Sequence, residues 1–125
     1  MKILESAENY MEAIHILNKE KGQVRAIDIA HYLNFSKPSV SIAMKQLEQN
    51  GYIKRDADGH ISLTAEGENV AVSIFKRHKL LTDLFLAIGV SEETAKDDAC
   101  KVEHHISQET FECLQKEIDK IKSAL

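Results

Sequence analysis

Apolar residues recur at helical spacing through most of the chain. Ala7, Tyr10, Met11, Ile14 and Leu17 stand three and four apart, which predicts an amphipathic helix over residues 4–20. Its other face carries Glu5, Glu8, Glu12 and His15, with Asn9 beside them, and Gly22 supplies a C-terminal stop. A short helix from Ile27 to Leu33 turns Ile29, Ala30 and Leu33 inward, and Asn34-Phe35 makes a tight turn. Ser36 is a good N-cap for a third helix, Pro38 fits its first turn, and Val40, Ala43, Met44 and Leu47 form its buried stripe up to Gly51. The remaining face of that helix is small, polar and basic: Lys37, Ser39, Ser41, Ile42, Lys45 and Gln49.

The period then changes. Tyr52–Arg55 and His60–Leu63 read as two short strands around a turn containing Asp58-Gly59, a strong hairpin signal. Two short helices joined by a tight turn could be an ordinary helical hairpin with a wet face. Followed directly by a strand hairpin, they predict a winged helix-turn-helix over residues 1–63. On that reading Ser36, Lys37, Pro38, Ser39, Ser41 and Lys45 line the DNA-facing side of the third helix, and Lys54 and Arg55 of the wing touch the DNA backbone.

The helical period returns at Thr64, which caps a long helix running to about Ile88 and ended by Gly89. Val70, Ile74, Leu80, Leu81, Leu84, Phe85 and Leu86 are more apolar than one small partner can cover, which suggests a subunit interface. Ser91 and Ser107 cap two further helices, the last packing through Ile106, Phe111, Leu114, Ile118 and Ile121, with Cys113 beside that stripe in a structural role. The fold class is therefore mainly α, with an all-helical dimerisation domain over residues 64–125.

Charge sharpens this picture. The net charge of −4 argues weakly against a nucleic-acid partner, but its distribution does not. Between Lys21 and Arg55 the charges are Lys21, Arg25, Lys37, Lys45, Lys54 and Arg55 against only Asp28 and Glu48, whereas from Glu92 onward acidic residues outnumber lysines. A basic front and an acidic back suggest two jobs. The chain has no apolar run of about 18 residues and no signal-peptide core, so a cytosolic location is the default expectation. There the two cysteines, Cys100 and Cys113, are expected as free thiols or a ligand, not a disulfide.

Candidate chemistry is concentrated at Cys100, Glu103 and His104. At i, i+3 and i+4 they share one helical face and offer soft, hard and borderline donors within reach of one divalent ion. The bland alternative is a buried small cysteine beside two solvated polar residues. A hydrolytic zinc is a third reading, because the inverted H-x-x-E-H pattern is one residue away, with Cys100 in the place of the first His. Such a hydrolase would use Cys100, His104 and His78 with Glu12 or Glu103 as base. It would also need an open coordination position and a cleft, for which the sequence offers nothing. His78, in the middle of its helix, would on its own be an ordinary packed or solvated histidine.

Taken together, these segments resemble the diphtheria toxin repressor family of metal-dependent transcription repressors, including its manganese transport regulator branch. The matching stretches are Glu8-Asn9-Tyr10-Met11-Glu12-Ala13-Ile14, Asp28-Ile29-Ala30, Ser36-Lys37-Pro38-Ser39-Val40-Ser41, Leu63-Thr64-Ala65-Glu66-Gly67, Arg77-His78-Lys79-Leu80-Leu81 and Ala99-Cys100-Lys101-Val102-Glu103-His104. They cover essentially the whole chain in the family's order. The resemblance implies that Glu12, His78, Cys100, Glu103 and His104 are metal ligands, with Asn9 contributing a neutral oxygen where the iron branch has Met and the manganese branch Asp. Cys100 follows the iron branch and Glu12 the manganese branch. Thr82 and Lys96 occupy positions where the iron branch places a Glu and a His of its ancillary site, which argues against an iron-type second site. Ile42 stands where iron-branch members often carry a base-contacting Gln. Ending at Leu125, the chain is expected to lack the C-terminal SH3-like domain of longer members.

The function so implied is a repressor of metal-uptake genes, with Fe(II) favoured ahead of Mn(II) as corepressor because one thiolate joins nitrogen and oxygen donors. Zn(II), Co(II) or Ni(II) are expected to bind in vitro. The expected partners are a palindromic DNA operator and a second copy of the chain, with neither a membrane nor a small-molecule substrate. Two recognition helices would sit about 34–36 Å apart on the operator. Carboxylates that repel one another without metal would be drawn together by the ion, holding the DNA-binding unit against the dimer core. A metal-independent winged-helix regulator is the remaining alternative.

Overall fold

The computed structural model describes residues 5–124, in the order α1 (Glu5–Lys21), α2 (Ala26–Leu33), α3 (Lys37–Gln49), β1 (Ile53–Arg55), β2 (Ile61–Leu63), α4 (Ala65–Ala87), α5 (Glu92–Val102) and α6 (Gln108–Ala124). The chain divides into two compact units, Met1–Ser73 and Ile74–Leu125, so the division falls inside α4. No helix among the described residues is long and apolar enough to cross a membrane.

The first unit is a winged helix-turn-helix. Its core gathers one stripe from each helix: Met11, Ile14 and Leu17 from α1, Ile29 and Ala30 from α2, Val40, Met44 and Leu47 from α3. Ile53 and Ile61 of the hairpin close that core, together with Val24 and Ala71. The tight turn between α2 and α3 is made by Asn34, which takes a left-handed backbone conformation (φ 58°), and by the Phe35 N–H donating to the Ala30 carbonyl at 3.0 Å. Ser36 caps α3 by accepting from the Ser39 N–H, and its hydroxyl also donates to the Ser39 hydroxyl. At the start of α2, where Arg25 is the N-cap residue, the Asp28 carboxylate accepts from the Arg25 N–H at 2.9 Å. That bond, reinforced by Lys21, holds the Asp28 carboxyl below the usual carboxylate range.

The hairpin is antiparallel, with Ile53 opposite Leu63, Lys54 opposite Ser62 and Arg55 opposite Ile61. Tyr52 and His60, read from sequence as strand residues, lie just outside β1 and β2. Their place is taken by turn chemistry. Asp56 accepts backbone N–H bonds from Asp58 and His60, both at 2.9 Å, and the bond from His60 pulls the Asp56 carboxyl below its ordinary range. The first turn of α4 is laid on the start of this hairpin. The Thr64 hydroxyl donates to the Gly51 carbonyl at 2.6 Å and accepts from the Gly67 N–H at 3.2 Å, while the Thr64 N–H donates to the Tyr52 carbonyl.

The second unit holds the rest of α4 with α5 and α6. Leu80, Phe111 and Ile118 form its core, with Leu84, Ile106 and Leu114 packed against them. Ala95 and Ala99 are the buried residues of α5. Ser107 caps α6 through the Thr110 N–H, whereas Ser91, at the N-cap of α5, makes no side-chain cap bond. Of the α4 residues read as an apolar surplus, Ile74, Leu80 and Leu81 are buried within the chain and Leu86 is exposed, while Ile121 and Cys113, expected to pack α6, are exposed, as is Ile88.

Candidate metal centre and DNA-binding face

α5 carries Cys100 in its last turn and ends at Val102, one residue before Glu103. Glu103 nevertheless keeps right-handed helical dihedrals (φ −57°, ψ −28°) as the C-cap, so the i, i+3 relation to Cys100 survives, and His104 follows in the turn. α4 brings His78 to the same place. His78 Nδ1 lies 2.8 Å from Glu103 Oε2 and 3.7 Å from Cys100 Sγ, and one donor atom from each of the three lies within 4.8 Å of the others. His104 Nε2 stands 3.4 Å from the other carboxylate oxygen, Glu103 Oε1.

Burial reverses the bland alternative. Cys100 is exposed, whereas the Glu103 side chain is only 1% exposed and that of His104 likewise. An isolated carboxylate buried to this degree would be strongly unfavourable without compensation. Here each oxygen faces an imidazole. The donor set suits a first-row divalent ion: thiolate, imidazole and carboxylate each bind at about 2.0–2.3 Å, and atoms sharing such an ion stand at separations like those observed.

The sequence motif also contains a residue whose role the periodicity did not reveal. Arg77, the neighbour of His78, donates from Nη1 to the backbone carbonyls of Glu103 (3.2 Å) and Ile106 (2.7 Å), and from Nη2 to Gln108 Oε1 (2.9 Å). Its guanidinium also stacks over Phe111, 5.6 Å from the ring centroid. The planar fork thus satisfies carbonyls left orphaned where α5 ends. Arg77 and His78 hold Glu103 from two sides, one by its main chain and the other by its carboxylate. Nothing in helical spacing points to acceptors so far along the chain; the signal available was only the adjacency of Arg77 to His78.

Glu12 and Asn9 lie half-buried on α1, in the first unit. Of the positions tied to an iron-type ancillary site, Thr82 is buried and Lys96 is paired with Glu92 at 2.9 Å. A second group of donor atoms, from Asp56, Asp58 and His60, lies in the wing turn, where Asp56 already serves as the turn's acceptor.

On the side of α3 read from sequence as DNA-facing, Ser36, Lys37, Pro38, Ser39, Ser41 and Lys45 are all exposed, as a recognition helix would require. Lys54 is exposed on the wing. Arg55 instead donates to Glu48 Oε1 at 2.9 Å, which ties the wing to α3 and holds the Glu48 carboxyl below its usual range.

Comparison with known proteins matches both halves of the chain. Residues 2–61 match the iron dependent repressor N-terminal DNA-binding domain, and residues 64–124 match the iron dependent repressor metal-binding and dimerisation domain. The transcriptional regulator MntR of Escherichia coli O6:H1 is 37% identical over 111 residues, covering 89% of this chain and 72% of the relative. An uncharacterized HTH-type transcriptional regulator of Methanocaldococcus jannaschii is 33% identical over 121 residues, covering 94% of this chain and 96% of the relative. Among solved structures, T. acidophilum IdeR superposes with a TM-score of 0.77 at 23% identity, over 95% of this chain and 55% of that one.

Proposed function

Because the chain belongs to the iron-dependent repressor family of metal-dependent, DNA-binding transcriptional regulators, we propose that His78, Cys100, Glu103 and His104 form its metal-sensing centre. Membership of a family of DNA-binding regulators removes the hydrolase reading. The observation that carries the proposal is the buried Glu103 carboxylate, flanked by two imidazoles with the Cys100 thiol beside them. A bound ion would supply positive charge and coordination bonds to this set. His78 and His104 would offer ring nitrogens, Glu103 its buried oxygens and Cys100 its thiolate. Glu12 and Asn9 on α1 are proposed to complete the set, so that metal occupancy and DNA binding are thermodynamically coupled, typically by ~1–3 kcal/mol. Ser36, Lys37, Pro38, Ser39, Ser41, Lys45, Lys54 and Arg55 are proposed to contact DNA as a homodimer on a two-fold operator, controlling metal-uptake genes.

For the signal ion, we propose Mn(II). The MntR relatives support it over Fe(II), the ion favoured by the donor set alone. Fe(II) remains the second reading on one specific observation: the Cys100 thiol lies 3.7 Å from His78 Nδ1, and a thiolate prefers ions softer than Mn(II). Anaerobic fluorescence anisotropy on DNA from upstream of the gene, at fixed salt, tests the switch. Tight binding is expected with Mn(II) and not with chelator; equal binding in both conditions would overturn it. A stronger response to Fe(II) at equal free-ion concentration would select the second reading.

The same centre gives a prediction for Arg77. Arg77→Lys keeps the charge but loses the fork that holds the Glu103 and Ile106 carbonyls. Mn(II) affinity, measured by competition against a fluorescent chelator, is expected to fall about tenfold or more, as for substitutions that disturb ligand orientation. Wild-type affinity in this variant would show that Arg77 supports packing alone.

A further inference from the structure

The recognition helix carries one side chain that its polar face does not account for. Ile42 is 61% exposed, while Val40, Met44 and Leu47 of the same helix are buried in the core. On α3, residues three and four positions away share its face, and these are Pro38, Ser39, Lys45 and Gln46, all exposed. Ile42 is thus an apolar side chain set beside the Pro38 ring and otherwise among hydroxyl, amide and ammonium groups. Local preference does not explain it, since a β-branched residue is a middling helix former. Singly exposed hydrophobic residues are ordinary on protein surfaces. This one differs in standing on the face of α3 that a helix-turn-helix turns into the major groove.

The chemistry of that groove narrows what Ile42 can meet. Lys37 and Lys45 make the surroundings suited to a polyanion. Base edges in the major groove present hydrogen-bond donors and acceptors, which an isoleucine can neither satisfy nor replace, and one apolar group, the C5-methyl of thymine. A base other than thymine opposite Ile42 would lose water from its polar edge without gaining a partner. We infer that Ile42 is a base-reading residue that recognises thymine through its methyl group. The inference rests on DNA binding through α3, and it holds whichever ion activates the protein.

The test uses the full chain with Mn(II). Duplexes bound by the protein are selected from a random pool, and each thymine of the selected sequence is replaced in turn by deoxyuridine, which removes the methyl and leaves pairing unchanged. At one thymine per half-site, loss of the methyl is expected to weaken wild-type binding about fourfold, the effect of one buried methyl-sized group. Ile42→Ala should weaken binding to the parent duplex and lose that sensitivity, while Ile42→Val, which keeps methyl groups in place, should retain it. Because Ile42 is exposed, neither variant should alter the melting temperature, which separates lost contact from lost fold. The proposal is overturned if wild type binds every uracil duplex as tightly as the parent, if Ile42→Ala stays equally sensitive, or if no sequence is enriched. Absence of any DNA binding with metal would count instead against the repressor reading on which all of this depends.

Discussion

Glu103→Ala is expected to abolish the metal response while leaving the winged helix folded. The carboxylate is 1% exposed and is met by His78 Nδ1 at 2.8 Å and His104 Nε2 at 3.4 Å. Its removal takes away the anionic donor at the centre of the cluster and leaves two neutral or cationic rings around the space. Mn(II) affinity should drop by at least the roughly hundredfold that even outer-shell changes can produce. Glu103→Gln should be nearly as severe, since an amide keeps the volume and supplies no charge. In the metal-free protein, depriving both imidazoles of their acceptor should cost about 1–3 kcal/mol. The first unit has its own core, built on Met11, Ile14, Ile29, Val40 and Met44, which this change does not touch. Helical circular dichroism should therefore persist, and anisotropy in saturating Mn(II) should match that in chelator. A Glu103→Ala protein that still binds Mn(II) and DNA as wild type does would place the sensor elsewhere.

Most of the architecture was legible because it follows from period and punctuation. The stripes of α1, α2 and α3, the Ser36 cap, the turn at Asn34 and the Asp58-Gly59 hairpin are all local signals, and local signals place local elements. The trio Cys100, Glu103 and His104 was legible for the same reason: three and four residues apart is a local relation. Its burial was not. Spacing alone left open which member faces solvent, and the structure turns Cys100 outward and Glu103 inward, because Ala95 and Ala99 take the buried side of α5. Arg77 was harder still, since its acceptors at Glu103 and Ile106 depend on where α5 stops and how the chain turns afterwards. Arg55 was read from its place on the wing as a phosphate contact, and spacing could not show that a carboxylate on α3, Glu48, lies within reach and pairs with it. Resemblance to the family supplied His78, which no spacing within its own helix would have singled out.

Gly67→Ala is expected to destabilise the protein, although the same change in an ordinary helix would stabilise it by about 0.5–1 kcal/mol. Gly67 is a buried residue in the first turn of α4, and a Cβ there would run into the Tyr52 carbonyl oxygen and come within 3.1 Å of Leu63 Cδ2. The obstacle is backbone, and it cannot rotate away as a side-chain tip could. That carbonyl also accepts the Thr64 N–H, and Thr64 in turn bonds the Gly51 carbonyl, so moving α4 to relieve the clash breaks the bonds that seat it on the hairpin. Overpacking of this kind typically costs about 1–3 kcal/mol, and with no soft neighbour the upper end is expected. Thermal unfolding measures the sign directly, since a rise in melting temperature would mean the close approach does not exist. The functional loss should be selective. Residues 51–67 join the wing to α4, whereas His78, Cys100, Glu103 and His104 lie in the second unit. Gly67→Ala should therefore weaken DNA binding at every metal concentration while those four side chains still take up Mn(II), the converse of what Glu103→Ala does.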